Sequence, residues 1–281
     1  MDGTVPSLEG FERVIELLAC DPRIAPYSAD WIRQNVAIAG EKNRVLQYVL
    51  QHIPSSGAPR LLDVGAQIGS LAIYAATLRC QVAAVDYGFF TTVFGRIAAD
   101  YGVDYRECDV GSQPLPFADN SFDFVTYTDV IEHHAFSPKR VLKEIHRVLV
   151  PGGCLIITTP NHASIYNRLL LLFGQSVNDP FDNFFEGSAD ANTYHGHHRE
   201  YTRAELKSTL ERTDFDVLEC RIIEEDLKSL FYSLQRKRSR REILQHRRDL
   251  LVRALGCIWS PLHLPFARII WAVGQKTADR P

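Results

Sequence analysis

The sequence contains no Cys-x-x-Cys pair. Its six cysteines, Cys20, Cys80, Cys108, Cys154, Cys220 and Cys257, are scattered without metal-finger spacing, which argues against a thiolate zinc site. Cys108, Cys154 and Cys220 fall in or beside expected strands, where a free thiol behaves as a small hydrophobe; this suits a reducing compartment. No apolar run has the length of a membrane-crossing helix, and the one ending at Trp271 is interrupted by Pro261, Pro265 and Arg268. Neither charge sign dominates: the formal net charge of −3 over 281 residues gives no global attraction to nucleic acid or anionic lipid. Internal repeats and low-complexity segments are also missing. The opening residues, Met1 to Pro6, carry neither a basic region nor an apolar run and do not read as a secretory leader. A soluble, cytoplasmic protein is the expectation. What is present is an ordinary globular composition, 46% hydrophobic and 23% charged, enough to bury a proper core.

Residues 1–57 read as a helical N-terminal cap, with Phe11, Val14, Ile15, Leu17 and Leu18 on one face and Val45, Leu46, Val49 and Leu50 on another. Residues 58–281 read as one α/β domain in which short apolar strands alternate with amphipathic helices. The expected strands are 60–64, 81–86, 104–108, 122–126, 154–158, 215–223 and 269–275. Helices are expected at 69–78, 91–101 and 138–149, the last with Ser137 as N-cap, Pro138 in its first position and Pro151-Gly152-Gly153 as its stop. Two stretches break the alternation, at about 160–200 and 224–268. The first holds a short apolar helix at 166–173 and is too long for a plain connection. Thr202-Arg203-Ala204-Glu205 is a capping box that opens a further helix to about Thr213.

The first strand of this alternation runs into Asp63-Val64-Gly65-Ala66-Gln67-Ile68-Gly69 and then a helix. Glycine lets a ligand approach the backbone closely, and a helix N-terminus offers unpaired N–H donors, so the turn suits a nucleotide-like ligand. Alone, it admits a dinucleotide as readily as any other adenosine ligand. Its companions narrow the choice. Asp86, followed by Tyr87, ends the second strand, where a carboxylate accepts from both hydroxyls of a ribose. Asp109 and Val110 follow the third, placed for an adenine amino group and the flank of its ring.

Three further runs complete the set: Pro116-Phe117-x-Asp119-x-Ser121-Phe122-Asp123, Asp129-Val130-Ile131-Glu132-His133, and Leu142-x-Glu144-x-x-Arg147-Val148-Leu149-x-Pro151-Gly152-Gly153. With them the sequence resembles the class I S-adenosylmethionine-dependent methyltransferases, within the group that includes ubiquinone-pathway and natural-product O-methyltransferases. The resemblance is close over about 58–160 and looser at 200–223 and 269–276. It implies a doubly wound, seven-stranded, mostly parallel sheet with the last strand antiparallel, a helical N-terminal extension and lid insertions. It also implies S-adenosylmethionine as cofactor. Asp63, Gly65, Ala66, Gln67 and Gly69 would surround the methionine moiety, Asp86 and Tyr87 the ribose, and Asp109 with Val110 the adenine. Thr128 would lie beside the methionine end. The family usually has a glycine where this chain has Gln67. A glutamine there points away from the cofactor if its backbone keeps ordinary dihedrals, and otherwise crowds the amino-acid moiety. The other reading of Asp63 and Asp109 is that they are turn residues capping helices.

Methyl transfer to a hydroxyl requires an in-line acceptor and removal of its proton, for which a near-neutral histidine is the natural base. His133, His134, His162, His195, His197 and His198 are the candidates, and Glu132, His133 and His197 are the residues chosen as catalytic. His133 follows a central strand at its carboxyl end, where ligands of open α/β sheets collect. Support of the fold is an equal reading for Glu132-His133. No metal is assigned. Yet Asp129-x-x-Glu132-His133 with His197-His198-Arg199-Glu200-Tyr201-Thr202-Arg203 resembles the metal-site arrangement of small-RNA 3′-end ribose methyltransferases, which would make Glu132, His133 and His197 ligands of a divalent ion.

The two insertions are expected to form the lid and acceptor pocket, with Phe173, Phe181, Phe184, Phe185 and Tyr194 as lining and Tyr27 and Trp31 closing the other side. The basic stretch 236–248 reads first as a solvated face. A peripheral membrane contact through 236–259 comes second, because an apolar stripe follows the charges. Nucleic acid comes last, since no stacking aromatics accompany them. The expected partner is a small-molecule methyl acceptor, such as a sugar, glycan precursor or natural-product intermediate. A lipid or quinone acceptor, RNA 3′ ends, and a catalytically lost binding domain are the rivals.

Overall fold

A computed structural model of the chain describes residues 5–24, 28–53, 57–178, 184–185, 196–223 and 268–277. Expectations for Tyr27, Phe181, Tyr194, His195, Cys257, the basic stretch 236–248 and the membrane contact through 236–259 fall outside these residues.

Three helices come first: α1 (Leu8–Cys20), α2 (Ala29–Arg33) and α3 (Ala39–Gln51). Then β1 (Arg60–Val64), α4 (Ser70–Thr77), β2 (Gln81–Asp86), α5 (Phe89–Ala99), β3 (Asp104–Glu107) and β4 (Phe122–Thr128) follow. The chain continues through α6 (Lys139–Val148), β5 (Leu149–Pro160), α7 (Ile165–Leu172), α8 (Arg203–Glu211), β6 (Phe215–Ile223) and β7 (Ile269–Lys276). The seven strands lie in the order β3-β2-β1-β4-β5-β7-β6. Pairs from β3 through β5 are parallel, whereas β7 is antiparallel to both β5 and β6. This is the seven-stranded, mostly parallel sheet with the last strand antiparallel.

Because successive strand residues face opposite sides, each strand feeds two cores. Leu61, Ala84, Phe124, Ile156 and Val273 face α1 to α5, meeting Phe11, Ile15, Val45, Leu46, Ile73, Phe94 and Ile97. Leu62, Val85, Val125, Ile157 and Ala272 face the other way, onto Leu142 and Ile145 of α6 and Leu206 and Leu210 of α8. The N-terminal helices therefore share a core with the sheet. Tyr74 of α4 fastens α1: its ring meets Phe11 edge-on at 5.8 Å, and its hydroxyl accepts from Ser7 N at 2.8 Å.

One helix start differs from expectation. α6 begins at Lys139, Pro138 takes the cap position without a side-chain cap bond, and the Ser137 hydroxyl lies 3.4 Å from Lys139 N. Proline's fixed φ makes it a ready half-helical residue, so the first turn closes one residue later. The capping box at Thr202 forms in full, with Glu205 N donating to Thr202 Oγ1 and Thr202 N to Glu205 Oε2.

Candidate active site

All the site-bearing turns lie at the carboxyl ends of the parallel strands. The loop after β1 is fixed by two backbone bonds to β2, from Gly65 N and Ala66 N to Val85 O. Gly65 has φ +77°, and a Cβ on it would fall 2.5 Å from Val130 Cγ2. Only glycine tolerates both constraints. Gly69, with φ +71°, turns the chain into α4, and Ala66 is buried beneath the loop.

Gln67 departs from what its residue type suggests. Its φ is +49°, so it occupies the left-handed region that the usual glycine would take. Its side chain is exposed, so it does not crowd the loop's interior. Two bonds hold the strained backbone: Gln67 N donates to Asp86 Oδ2 at 2.7 Å, and Tyr105 Oη donates to Gln67 O at 2.8 Å. Asp86 also accepts from Tyr87 N at 2.7 Å, and its burial raises its carboxyl above the ordinary range. Asp86 thus braces the loop as well as ending β2. Tyr87 is exposed beside it.

Asp63 is deeply buried, accepting from Thr126 Oγ1 at 2.7 Å, and burial pushes its carboxyl up to about 6. It caps no helix. Asp109 does serve a turn, accepting from Gly111 N at 2.9 Å and Ser112 Oγ at 2.6 Å, with half-buried Val110 beside it.

The N-terminal helices supply what sequence reasoning missed. Glu41, Lys42 and Asn43 of α3 are all buried. Lys42 Nζ donates to Thr128 Oγ1 at 2.5 Å and to Asp129 Oδ2 at 3.2 Å, at the carboxyl end of β4. Burial alone would lower Lys42, but Asp129, Glu41 and Asp63 outweigh it and hold the ammonium above its ordinary range. Burial, reinforced by the Asp129 charge, pushes Glu41 up to about 7. Asp129 itself has φ +56°, a strained position of the kind that gathers at functional sites. No periodicity marks Lys42, since Glu-Lys-Asn on a helix reads as a solvated face.

Val130, against Gly65, leads into the short turn Ile131–His133. Glu132 is 1% exposed. Its Oε2 accepts from Thr159 Oγ1 at 3.0 Å, and its Oε1 has no hydrogen-bond partner. Burial, then the Asp129 charge, pushes it up to about 8. The segment 196–200 is tied to it, because His198 N and Arg199 N both donate to Glu132 O, at 2.8 and 3.1 Å. His133 Nδ1 lies 3.2 Å from Gly196 O, and the His133 and His197 rings meet edge-on at 4.8 Å. Glu200 accepts from His197 Nδ1 at 3.1 Å and lies 3.5 Å from His162 Nδ1. The three residues chosen as catalytic therefore converge.

His162 stays beside them through Glu200, whereas His134 and the side chain of His198 lie apart. His134 stacks on Phe136 at 4.3 Å against the Tyr127 hydroxyl, and burial pushes it down to about 4. His198 is exposed. Phe173, Phe184 and Phe185 are exposed, whereas Trp31 stacks on Phe90 at 6.3 Å.

A family model described as a methyltransferase domain matches residues 31–220, and the chain belongs to that family. Among curated proteins it is 31% identical over 153 residues to a ubiquinone/menaquinone biosynthesis C-methyltransferase of Desulfotalea psychrophila, covering 52% of this chain and 61% of that one. It is 34% identical over 139 residues to a ubiquinone biosynthesis O-methyltransferase of Ruegeria pomeroyi, covering 48% of this chain and 52% of the relative. The match thus spans only about half to three-fifths of each relative's length. The crystal structure of an S-adenosylmethionine-dependent methyltransferase from Mesorhizobium loti shares the fold at a TM-score of 0.53 and 17% identity, covering 85% of this chain and 98% of that one. The architecture is that of the class I, Rossmann-like methyltransferases.

Proposed function

We propose that the chain is an S-adenosylmethionine-dependent O-methyltransferase acting on a hydroxylated small metabolite. The observation that carries the oxygen assignment is the convergence of Glu132, His133 and His197 next to the cofactor loop, with Val130 as the link.

The residues present fit the cofactor. Gly65 leaves no room for a side chain of its own, and buried Asp63 and Lys42 supply opposite charges near the end of β4 for an amino acid's ammonium and carboxylate. Asp86 serves the ribose, and Asp109 with Val110 serves the adenine. When bound, the cofactor supplies an electrophilic methyl on a sulfonium and its own leaving group. The protein's share is to orient the acceptor, exclude water and assist loss of the hydroxyl proton. The Glu132–His133–His197 cluster takes that role, with Glu200 holding the His197 ring. A glycan precursor, sugar or natural-product intermediate matches such a site.

A lipid-soluble phenol or quinol is the second reading, favoured by the two relatives named for ubiquinone biosynthesis. Calorimetry with S-adenosylmethionine, followed by transfer of labelled methyl to panels of hydroxylated sugars, phenols and quinols, tests the function. Binding with O-methyl product supports the proposal. Absence of binding at millimolar cofactor overturns it, and an N- or C-methyl product overturns the oxygen assignment. Liposome flotation of wild type against a variant lacking the charges of Arg236, Arg238, Arg240 and Arg241 separates the lipid reading, which requires flotation that the variant loses.

A further inference from the structure

We infer that the cavity between the turn after β4 and helix α8 is a second small-molecule site, which takes an aromatic carboxylate and is joined to Glu132 through the backbone. Its volume is about 410 Å3. A cavity of roughly 150 Å3 holds benzene, so there is room for a substituted ring. Among the described residues, neither the cofactor loop nor Glu132, His133 or His197 lines it.

One wall is aromatic. His134 and Phe136 stack at 4.3 Å with their planes 23° apart, and Phe136 remains 42% exposed. Burial pushes His134 down to about 4, so at neutral pH the pair offers ring faces without charge. A large ring left open on a cavity is a stacking surface for a planar ligand. Gly111 permits this placement, since a Cβ there would fall 2.5 Å from Phe136 Cε1.

The other wall, at α8, is cationic. Arg199 and Arg212 both line the cavity, and Ser208 stands with them. Glu205 lines it too, but both its oxygens are engaged. Oε1 accepts from Arg199 Nη2 at 2.7 Å, and Oε2 accepts from Thr202 N and Oγ1, each at 2.9 Å. Arg212 has no ion pair among the described residues. The balance leaves one guanidinium without a counter-charge, and a guanidinium meets a carboxylate with two parallel N–H bonds. The ring wall beside it makes an anion with an aromatic body the matching ligand.

Two contacts join the cavity to the neighbouring site. Arg199, whose side chain lines the cavity, donates its backbone N–H to Glu132 O at 3.1 Å, beside the same bond from His198 N. Phe136 packs on Gly111, whose N–H donates to Asp109 Oδ1 at 2.9 Å. A ligand that draws Arg199 and Phe136 together therefore acts on both segments.

The coupling to cofactor rests on the methyltransferase reading, and the site itself does not. Benzoate is titrated into the full chain by calorimetry and ligand-observed NMR. Benzyl alcohol serves as the ring without charge and acetate as the charge without the ring. Benzoate should bind at about one per chain with a Kd of about 1 mM or below, and both controls at least about tenfold more weakly. Arg212→Gln and Phe136→Ala, at exposed positions and checked by circular dichroism, should each weaken benzoate by about fivefold or more. Saturating benzoate should change the affinity for S-adenosylmethionine by about fivefold or more, with the same factor in the reverse direction. No benzoate binding at about 10 mM overturns the site, as does equal affinity in both variants or for benzyl alcohol. Benzoate displaced competitively by cofactor places it elsewhere and overturns the site as well. Cofactor affinity unmoved by bound benzoate overturns the link to Glu132, whereas absence of cofactor binding strikes the methyltransferase reading and leaves the site standing.

Discussion

Lys42 stands among three carboxylates: Glu41 and Asp63 are buried with it, and Asp129 is half-buried. Removing a buried cation leaves its partners uncompensated, which costs far more than the net worth of the original pair. Lys42→Met should therefore lower stability by about 3–5 kcal/mol in urea denaturation at pH 8, and less at pH 5, where the carboxylates take up protons. The sign follows from the raised acids. A carboxyl whose folded pKa exceeds its unfolded value stabilises fully at low pH and loses that contribution as pH rises through the folded value. Glu41 at about 7 and Glu132 at about 8 place that loss near neutrality. His134, lowered to about 4, works oppositely, but its contribution is complete above its unfolded value. Between about pH 6.5 and 8 the wild-type Tm should fall, and Glu41→Gln should flatten that slope. An equally steep slope in the variant would refute the assignment.

Gln67 and Gly65 show opposite solutions in one loop. Gln67→Gly keeps the amide that donates to Asp86 and removes left-handed strain of about 1 kcal/mol, partly offset by glycine's entropy in the unfolded chain. A gain of about 0.5 kcal/mol in urea denaturation is expected, and a loss would mean that the glutamine side chain contributes contacts of its own. Gly65→Ala should move the other way, because its Cβ would meet Val130 in a backbone conformation that alanine resists. Calorimetry should find cofactor affinity reduced by at least about tenfold, the equivalent of 1.4 kcal/mol.

At the scale of elements, α8 shows how local chemistry sets a boundary. Thr202 and Glu205 satisfy each other's backbone amides, and Leu206 and Leu210 then bury against the sheet. Thr202→Ala should cost about 1 kcal/mol in chemical denaturation, while Glu205→Gln, which keeps an acceptor, should cost less. This element was legible because both its cap and its apolar positions are contiguous in sequence. The same holds for β1, β2 and β6, whose limits match the expected ones, and for the strand-end carboxylates Asp63 and Asp86. Strand β5 was not fully legible. It starts at Leu149, inside the expected end of α6, because Leu149 pairs with Phe122 before the Gly152-Gly153 bend. The site was legible where a motif sits on one strand end, and hidden where distant segments meet. Glu132-His133 was visible as a pair, and His197 as a candidate. Their clamp through Glu132 O, and the arrival of Lys42 from α3, depend on packing that no local pattern encodes.

The whole molecule raises the question of whether the N-terminal helices are a detachable cap. Their apolar residues join the same core as Leu61, Phe124 and Ile156, and α3 carries Lys42 into the carboxyl edge of the sheet. A structure joined this way should unfold as one unit, because separating the helices would expose apolar residues of the sheet and of α4 and leave Asp129 without its cation. Two tryptophans report on the two parts. Trp31 stacks on Phe90 beside α2, and Trp271 is buried in β7. With Trp259 replaced by Phe, single-tryptophan variants made by Trp31→Phe or Trp271→Phe separate the signals. Their fluorescence midpoints in urea should coincide with each other and with circular dichroism. S-adenosylmethionine at a hundredfold excess over its Kd should stabilise both by about 2.7 kcal/mol, since a ligand of the folded state shifts the whole cooperative unit. An earlier Trp31 transition, insensitive to cofactor, would mean that the helices open alone and that Lys42 is not part of the binding unit.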